Sequence, residues 1–206
     1  MITSIKELGL SELSYTVVDT ETTGLSPYKG ARLVEIGAVK INQKMNLDLN
    51  CTFSQLINPE TKIPYSAYKI HKISNEMTDG KPKIDEVLPE FSRFAENTVI
   101  VAHNARFDYS FIDYYMRKHN MQCNLIHIVD TLKLTRQMYP EIRQYSLDKL
   151  IEFFDLDSKT KILLSDAEKF YRHRALFDAI NTALVFIKCV EKARRLGLPE
   201  KLGTLI

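Results

Sequence analysis

Between Tyr15 and Ile57 the chain lays down three strand-like segments in succession; beyond Pro59 helical spacing takes over, interrupted by two short strands. Tyr15–Asp19 is an apolar strand ending in an acid, Leu33–Ile41 is a near-continuous apolar run, and Asp48–Ile57 alternates as a third strand. The turn TTGLSPYKGA, with Gly24, Pro27 and Gly30, suits a hairpin-like return between the first two. Pro64–Ile70 reads as a short helix, and Ile84, Val87, Leu88, Phe91 and Phe94 mark a longer one. Thr98–Ala102 is a short buried strand, Phe107, Phe111, Tyr114 and Tyr115 share a helix face, and Ile126–Val129 is the last strand. Helices follow near 131–138 and 146–154, and a long one runs from about Arg174. Three strands in a row, then helices alternating with single strands, predict an α/β fold of three layers around a mixed five-stranded sheet.

A chain of 206 residues suits one domain, and a compact fold of that size hides roughly 70% of the surface its unfolded chain exposes. It needs no disulfide or structural metal to be stable. No repeat or Gly/Ser/Pro-rich linker divides it, so residues 1–13 read as a lead-in, 14–190 as the domain and 191–206 as a basic tail. That tail is expected to be a solvated helix end with a trailing loop. Cys51, Cys123 and Cys189 are odd in number and form no CxxC, which suits a reducing compartment, the cytoplasm. No apolar run approaches the roughly 20 residues that span a bilayer, and the acid-containing start is unlike a secretory signal; no membrane partner is expected. The net charge is +2, with +3 of it in residues 188–206. A near-neutral body that acts on a polyanion needs local means of handling phosphates, such as metal ions.

The densest chemical signal is Val17-Val18-Asp19-Thr20-Glu21-Thr22-Thr23-Gly24. In an extended backbone residues i and i+2 share a face, so the carboxylates of Asp19 and Glu21 converge. Adjacent anions in a partly dry place favour a divalent cation, and hard oxygen ligands select Mg²⁺ or Mn²⁺. Alone, such a pair is more often a solvated strand end. DTETTG also loosely resembles the DxDxT motif of haloacid-dehalogenase-like phosphatases, but position 21 is Glu and no paired-Asp motif follows. Asp108 falls in the first turn of a helix after His103 and Asn104, where an acid also suits the helix dipole. His103 and Asn104 alone could cap that helix, and Phe107 and Phe111 alone read as core. Asp178 lies about one turn into the last helix, five residues after His173. Acids at a first strand and at two helix starts can meet at one edge of a mixed sheet, with the histidine placed as a base. His119, Cys123 and His127 fall four apart but lack a fourth ligand for zinc.

The segments VVDTETTGL, VAHNARFDYSFI and HRALFDA, in this order and spacing, resemble the three motifs of the DEDDh (DnaQ-like) 3′→5′ exonuclease family, which includes the proofreading subunit of bacterial replicative polymerase. The resemblance runs from about Tyr15 to Lys188 and takes in RLVEIGAVKI, INPETKIP…IHKIS and VDTLKLTRQMYP…YSLDKL. It implies a ribonuclease H-like fold and hydrolysis releasing nucleoside 5′-monophosphates with two divalent ions, Mg²⁺ or Mn²⁺. By position it implies that Asp19, Glu21, Asp108 and Asp178 hold the metals and His173 is the general base. Thr22, Thr23, Gly24 and Leu25 would lie against the terminal nucleotide, and His103, Asn104, Phe107 and Phe111 would line the substrate groove. His71 matches a family histidine of less defined role. The expected substrate is a single-stranded or frayed DNA 3′ end in proofreading or repair, with a DNA polymerase subunit as a partner. An RNA 3′-end trimmer and a non-catalytic nucleic-acid-binding module are the alternatives. DTETTG favours DNA, and the five filled active-site positions favour an enzyme.

Overall fold

The computed structural model describes residues 4–121, 125–158, 160 and 174–206. Its sheet contains β1 (Tyr15–Thr22), β2 (Leu33–Ile41), β3 (Leu47–Leu56), β4 (Val99–Ala102) and β5 (His127–Asp130), in the order β3-β2-β1-β4-β5. The first three pair antiparallel, and β4 and β5 then add parallel to β1. Short antiparallel returns fit the early turns, whereas each parallel strand requires a helical crossover. Helices α1 (Tyr65–His71), α2 (Asn75–Thr78), α3 (Ile84–Ala95) and α4 (Arg106–Lys118) precede α5 (Thr131–Met138), α6 (Leu147–Phe153) and the long α7 (Ala175–Arg195). The four-residue α2 is the only helix among these without a counterpart in the sequence reading.

Alternation along β1 divides the core into two layers. Tyr15 and Val17 pack with Leu134, Met138, Leu150 and the apolar face of α7, while Val18 packs with α3 and α4 through Val87, Phe91, Phe111 and Tyr115. The same period of two sends Asp19 and Glu21 to the α7 face and Thr20 to the α4 face. Those directions set the chemistry described below.

The chain ends depart from the expected lead-in and solvated tail. Leu10 and Leu13 join Leu202 and Leu205 in the α7-side core. Leu10 N–H donates to Glu200 O at 3.0 Å, and Leu202 N–H donates to Leu8 O at 2.8 Å. Three of the five basic residues in 188–206 are ion-paired, Arg194 with Glu200, Lys201 with Glu7 and Lys188 with Glu191. Leu202 and Leu205 explain the difference: of the four leucines in the tail these two have apolar surface that the core buries. Among the described residues no helix is long and apolar enough to cross a membrane.

Candidate active site

Asp19, Glu21 and Asp178 each bring a carboxylate oxygen to within 4.8 Å of the others. Two features of β2 make this meeting possible. Gly37 lies opposite Asp19 in the β1–β2 register. A Cβ there would stand 2.1 Å from Ala175 C and Leu176 N. The bare glycine lets the first turn of α7 rest directly on the sheet, one turn short of Asp178. The second feature is Glu35, 1% exposed, whose carboxylate accepts from Arg174 Nε at 3.0 and 2.9 Å, from Arg174 Nη2 at 2.5 Å and from Ala175 N–H at 2.9 Å. A fork-to-fork pair with a backbone donor in addition fixes both the position and the direction of the helix start.

Burial, and then the charges of Asp108, Asp178 and Glu21, hold the Asp19 carboxyl well above the usual carboxylate range. Glu21 is raised in the same way by burial, Asp178 and Glu35, with Arg174 opposing. A site that resists its own ionisation this strongly is one that a dication suits, and an all-oxygen donor set selects a hard ion. The residues present therefore fit a divalent metal. Asp108, 3% exposed, stands on the other side of β1 and accepts from Thr20 Oγ1 at 2.7 Å. Burial pushes it up to about 7, against the Thr20 hydrogen bond, which favours its anion.

A cavity of about 430 Å³ opens beside Glu21, lined by Thr20–Leu25, by Ser66, Ala67, Ile70 and His71 of α1, and by Phe107. The turn after β1 is braced from within: Thr22 Oγ1 donates to Gly24 O at 2.7 Å, and Thr23 Oγ1 accepts from Arg32 N–H at 2.8 Å. Leu25, 89% exposed, projects from this turn. His71 is buried; its Nδ1 accepts from Ile73 N–H at 3.0 Å, and its Nε2 has no well-formed hydrogen bond, although the adjacent Thr22 backbone favours its proton. Burial nonetheless lowers its pKa. On the far side of Leu25 and Phe107, a second cleft is lined by Asn104, Arg106, Tyr28 and Tyr109. Asn104 adopts φ 61°, a left-handed conformation that asparagine tolerates, and its N–H donates to Asp130 Oδ1 at 3.0 Å.

Two expected groove residues have other roles. Phe111 is 0% exposed and packs in the α4-side core, because its position on α4 faces the sheet. His103 is braced by Thr131 Oγ1 on Nδ1 at 3.0 Å and by Tyr145 O on Nε2 at 2.8 Å, which leaves neither nitrogen for a ligand. Its pKa is lowered, chiefly by burial. His173 lies outside the described residues, as does Cys123. Glu35, Arg174, Thr20 and Asp130 were not singled out from the sequence. Glu35 had a signal, being the one charge among the apolar residues from Leu33 to Val39.

Residues 16–186 match the family described as Exonuclease, RNase_T. The chain belongs to this exonuclease family. It is 39% identical over 198 residues to the DNA polymerase III PolC-type of Caldanaerobacter subterraneus subsp. tengcongensis, covering 96% of this chain but only 13% of that protein's length. To the DNA polymerase III subunit epsilon of Rickettsia prowazekii it is 36% identical over 182 residues, covering 86% of this chain and 74% of the relative. Among solved structures, Exonuclease X in complex with 5′ overhanging duplex DNA matches with a TM-score of 0.65 at 26% identity, over 93% of this chain and 98% of that one. The five-stranded mixed sheet is thus the ribonuclease H-like fold of the exonuclease family, as the three acid motifs led us to expect.

Proposed function

We propose that the chain is a metal-dependent 3′→5′ exonuclease that releases nucleoside 5′-monophosphates from single-stranded or frayed DNA 3′ ends, acting in proofreading or repair beside a DNA polymerase. The observation that carries this reading is the convergence of Asp19, Glu21 and Asp178, the second of which lines a cavity whose walls suit a nucleotide. Asp19, Glu21 and Asp178 would hold one divalent ion, Mg²⁺ or Mn²⁺, and Asp19 with Asp108 a second. Such ions supply the positive charge that a phosphodiester under attack requires at its attacking and leaving oxygens.

The chain's own groups do the rest. The Thr22–Gly24 backbone, held by the internal hydrogen bonds of the turn, would meet the terminal sugar and its 3′-OH. Leu25 and Phe107 would border the terminal base, and His71 would stand at the rear wall. His173 would take the proton of the attacking water, a role that an imidazole of ordinary pKa about 6.5 can fill near neutral pH. Thr20 orients Asp108 from the opposite face of the strand. The polymerase III relatives support both the DNA substrate and the polymerase partner.

Matched single-stranded DNA and RNA of one sequence, each 5′-labelled and incubated with Mg²⁺ or Mn²⁺, test the substrate assignment. DNA should be shortened at least tenfold faster at equal concentration. Equal or faster shortening of RNA would replace the DNA reading with RNA 3′-end trimming.

A further inference from the structure

The described residues include ten large hydrophobic side chains in the open, and five of these, Leu25, Tyr28, Tyr65, Tyr68 and Ile70, belong to the turn and the helix that frame the acidic cavity. Scattered exposed apolar residues need no explanation, but a concentration around one site does. Helix α1 divides its residues by face. Ala67 and His71 are buried, Ser66 and Ile70 border the cavity, and Tyr65, Tyr68, Lys69 and Lys72 fall at i, i+3, i+4 and i+7 along the outside. Tyr65 is 73% exposed and Tyr68 38%, so neither ring serves the core.

The stripe is organised. The two tyrosine rings stack with centroids 6.2 Å apart and planes 29° apart. Lys69 Nζ stands 5.8 Å from the Tyr65 ring centre, and Lys72 Nζ stands 6.0 Å from that of Tyr68. Residues 61–75 carry no acid; Lys62 borders a pocket with Glu76 and Asp79, whereas Lys69 and Lys72 lie on the stripe, Lys72 Nζ also donating to Lys69 O at 2.6 Å. In contrast, Lys83, Lys149, Lys188 and Lys201 each pair with a carboxylate. Aromatic faces interleaved with ammonium groups are what sequence-tolerant binding of a single strand uses, bases stacking and phosphates neutralised. The cleft beyond Leu25, lined by Arg106 with Tyr28 and Tyr109, is the competing path; its acid, Asp113, pairs with Arg117.

We propose that the outer stripe of α1 is a binding track for the single strand upstream of the terminal nucleotide, with bases on Tyr65 and Tyr68 and phosphates against Lys69 and Lys72. This rests on the exonuclease reading of the cavity and specifies where the substrate leaves it. The track makes affinity grow with strand length beyond the nucleotides that the cavity itself holds.

Fluorescence anisotropy of a 5′-labelled twelve-residue oligo(dT) in EDTA reads binding without cleavage. Each of Tyr65→Ala and Tyr68→Ala should weaken binding at least about fivefold, the lower bound for a lost base–aromatic stack. The double variant Lys69→Gln/Lys72→Gln should reduce the salt slope of log K by about 1.4, since each neutralised phosphate contributes about 0.7 on a single strand. With Mg²⁺ present, the tyrosine variants should raise KM on the twelve-mer, and the effect should shrink on a dinucleotide. Should a tyrosine variant fail to fold, as judged by its circular dichroism melt, the lysine salt slope decides alone. Wild-type affinity in both tyrosine variants with an unchanged salt slope overturns the track, as does a larger loss in Tyr28→Ala with the stripe variants unaffected. If the wild type binds the oligonucleotide but never shortens it with metal, the exonuclease reading fails instead, and the two failures are distinguishable.

Discussion

Glu35→Gln isolates the clamp that seats α7 against the metal site. Glu35 is almost wholly buried, and Arg174 retains 24% side-chain exposure. Removing one partner of a buried pair costs about 3–5 kcal/mol. Glutamine keeps the shape and can still accept from Ala175 N–H, and the Arg174 head can turn toward water, so the loss should fall below that range, at about 2–3 kcal/mol. Arg174→Met should be the worse single change, because it leaves the Glu35 anion buried with only one backbone donor. The double variant should fall short of the sum of the two by at least about 1.5 kcal/mol, as expected for groups in direct contact. Urea unfolding followed by far-UV circular dichroism measures all three, since the chain contains no tryptophan to report by fluorescence. Mn²⁺ calorimetry should show weaker binding in Glu35→Gln, because the turn carrying Asp178 loses its anchor and the site loses a nearby negative charge. Glu35→Gln within 0.5 kcal/mol of wild type, or additivity of the two changes, would refute the clamp.

Three further outcomes follow from the same geometry. Gly37→Ala should destabilise the fold by at least about 3 kcal/mol and weaken Mn²⁺ binding, because its Cβ would overlap the backbone of Ala175 and Leu176; an unchanged urea midpoint contradicts this. Asp108 binds its proton more tightly when folded than unfolded, so its ionisation costs stability as pH rises from about 4 through about 7, and the cost is complete above that. In EDTA, wild type should therefore lose at least about 1 kcal/mol relative to Asp108→Asn between pH 5 and pH 8; a constant difference between the two would sink the assignment. His173→Ala should keep Mn²⁺ binding while slowing single-turnover cleavage about 10²–10⁴-fold, and wild-type rates at neutral pH would show that this histidine is no base.

The strands and long helices were legible because their apolar periods are set locally: β1, β2 and α7 each fall within a few residues of the sequence reading. The meeting of Asp19, Glu21 and Asp178 was legible because the first two sit two apart on a strand and the third opens a helix. Which groove residues serve the core was not legible. Phe107 and Phe111 are four apart on one helix and look equivalent in sequence, yet Phe111 is fully buried while Phe107, a turn nearer the helix start, packs on the same core only in part and lines the cavity. His103 is likewise spent on Thr131 and Tyr145, partners 28 and 42 residues away that no local pattern connects. The Glu35–Arg174 clamp spans 139 residues and becomes visible only when β2 and α7 are brought together. The two ends of the chain meet for a similar reason, since Leu10 and Leu202 share a core that neither segment could form alone.

In the proposed function Asp19, Glu21 and Asp178 hold the divalent ion on which 3′-end hydrolysis depends. A 5′-labelled single-stranded DNA incubated with wild type and with Asp19→Asn, in Mn²⁺ and in EDTA, tests it most directly. Wild type in Mn²⁺ should give a ladder descending from the full-length strand. EDTA should abolish it, and Asp19→Asn should reduce it by several orders of magnitude together with a weakened Mn²⁺ isotherm. A ladder that persists in EDTA or in Asp19→Asn, or immediate release of the 5′ label as a mononucleotide, would contradict the account.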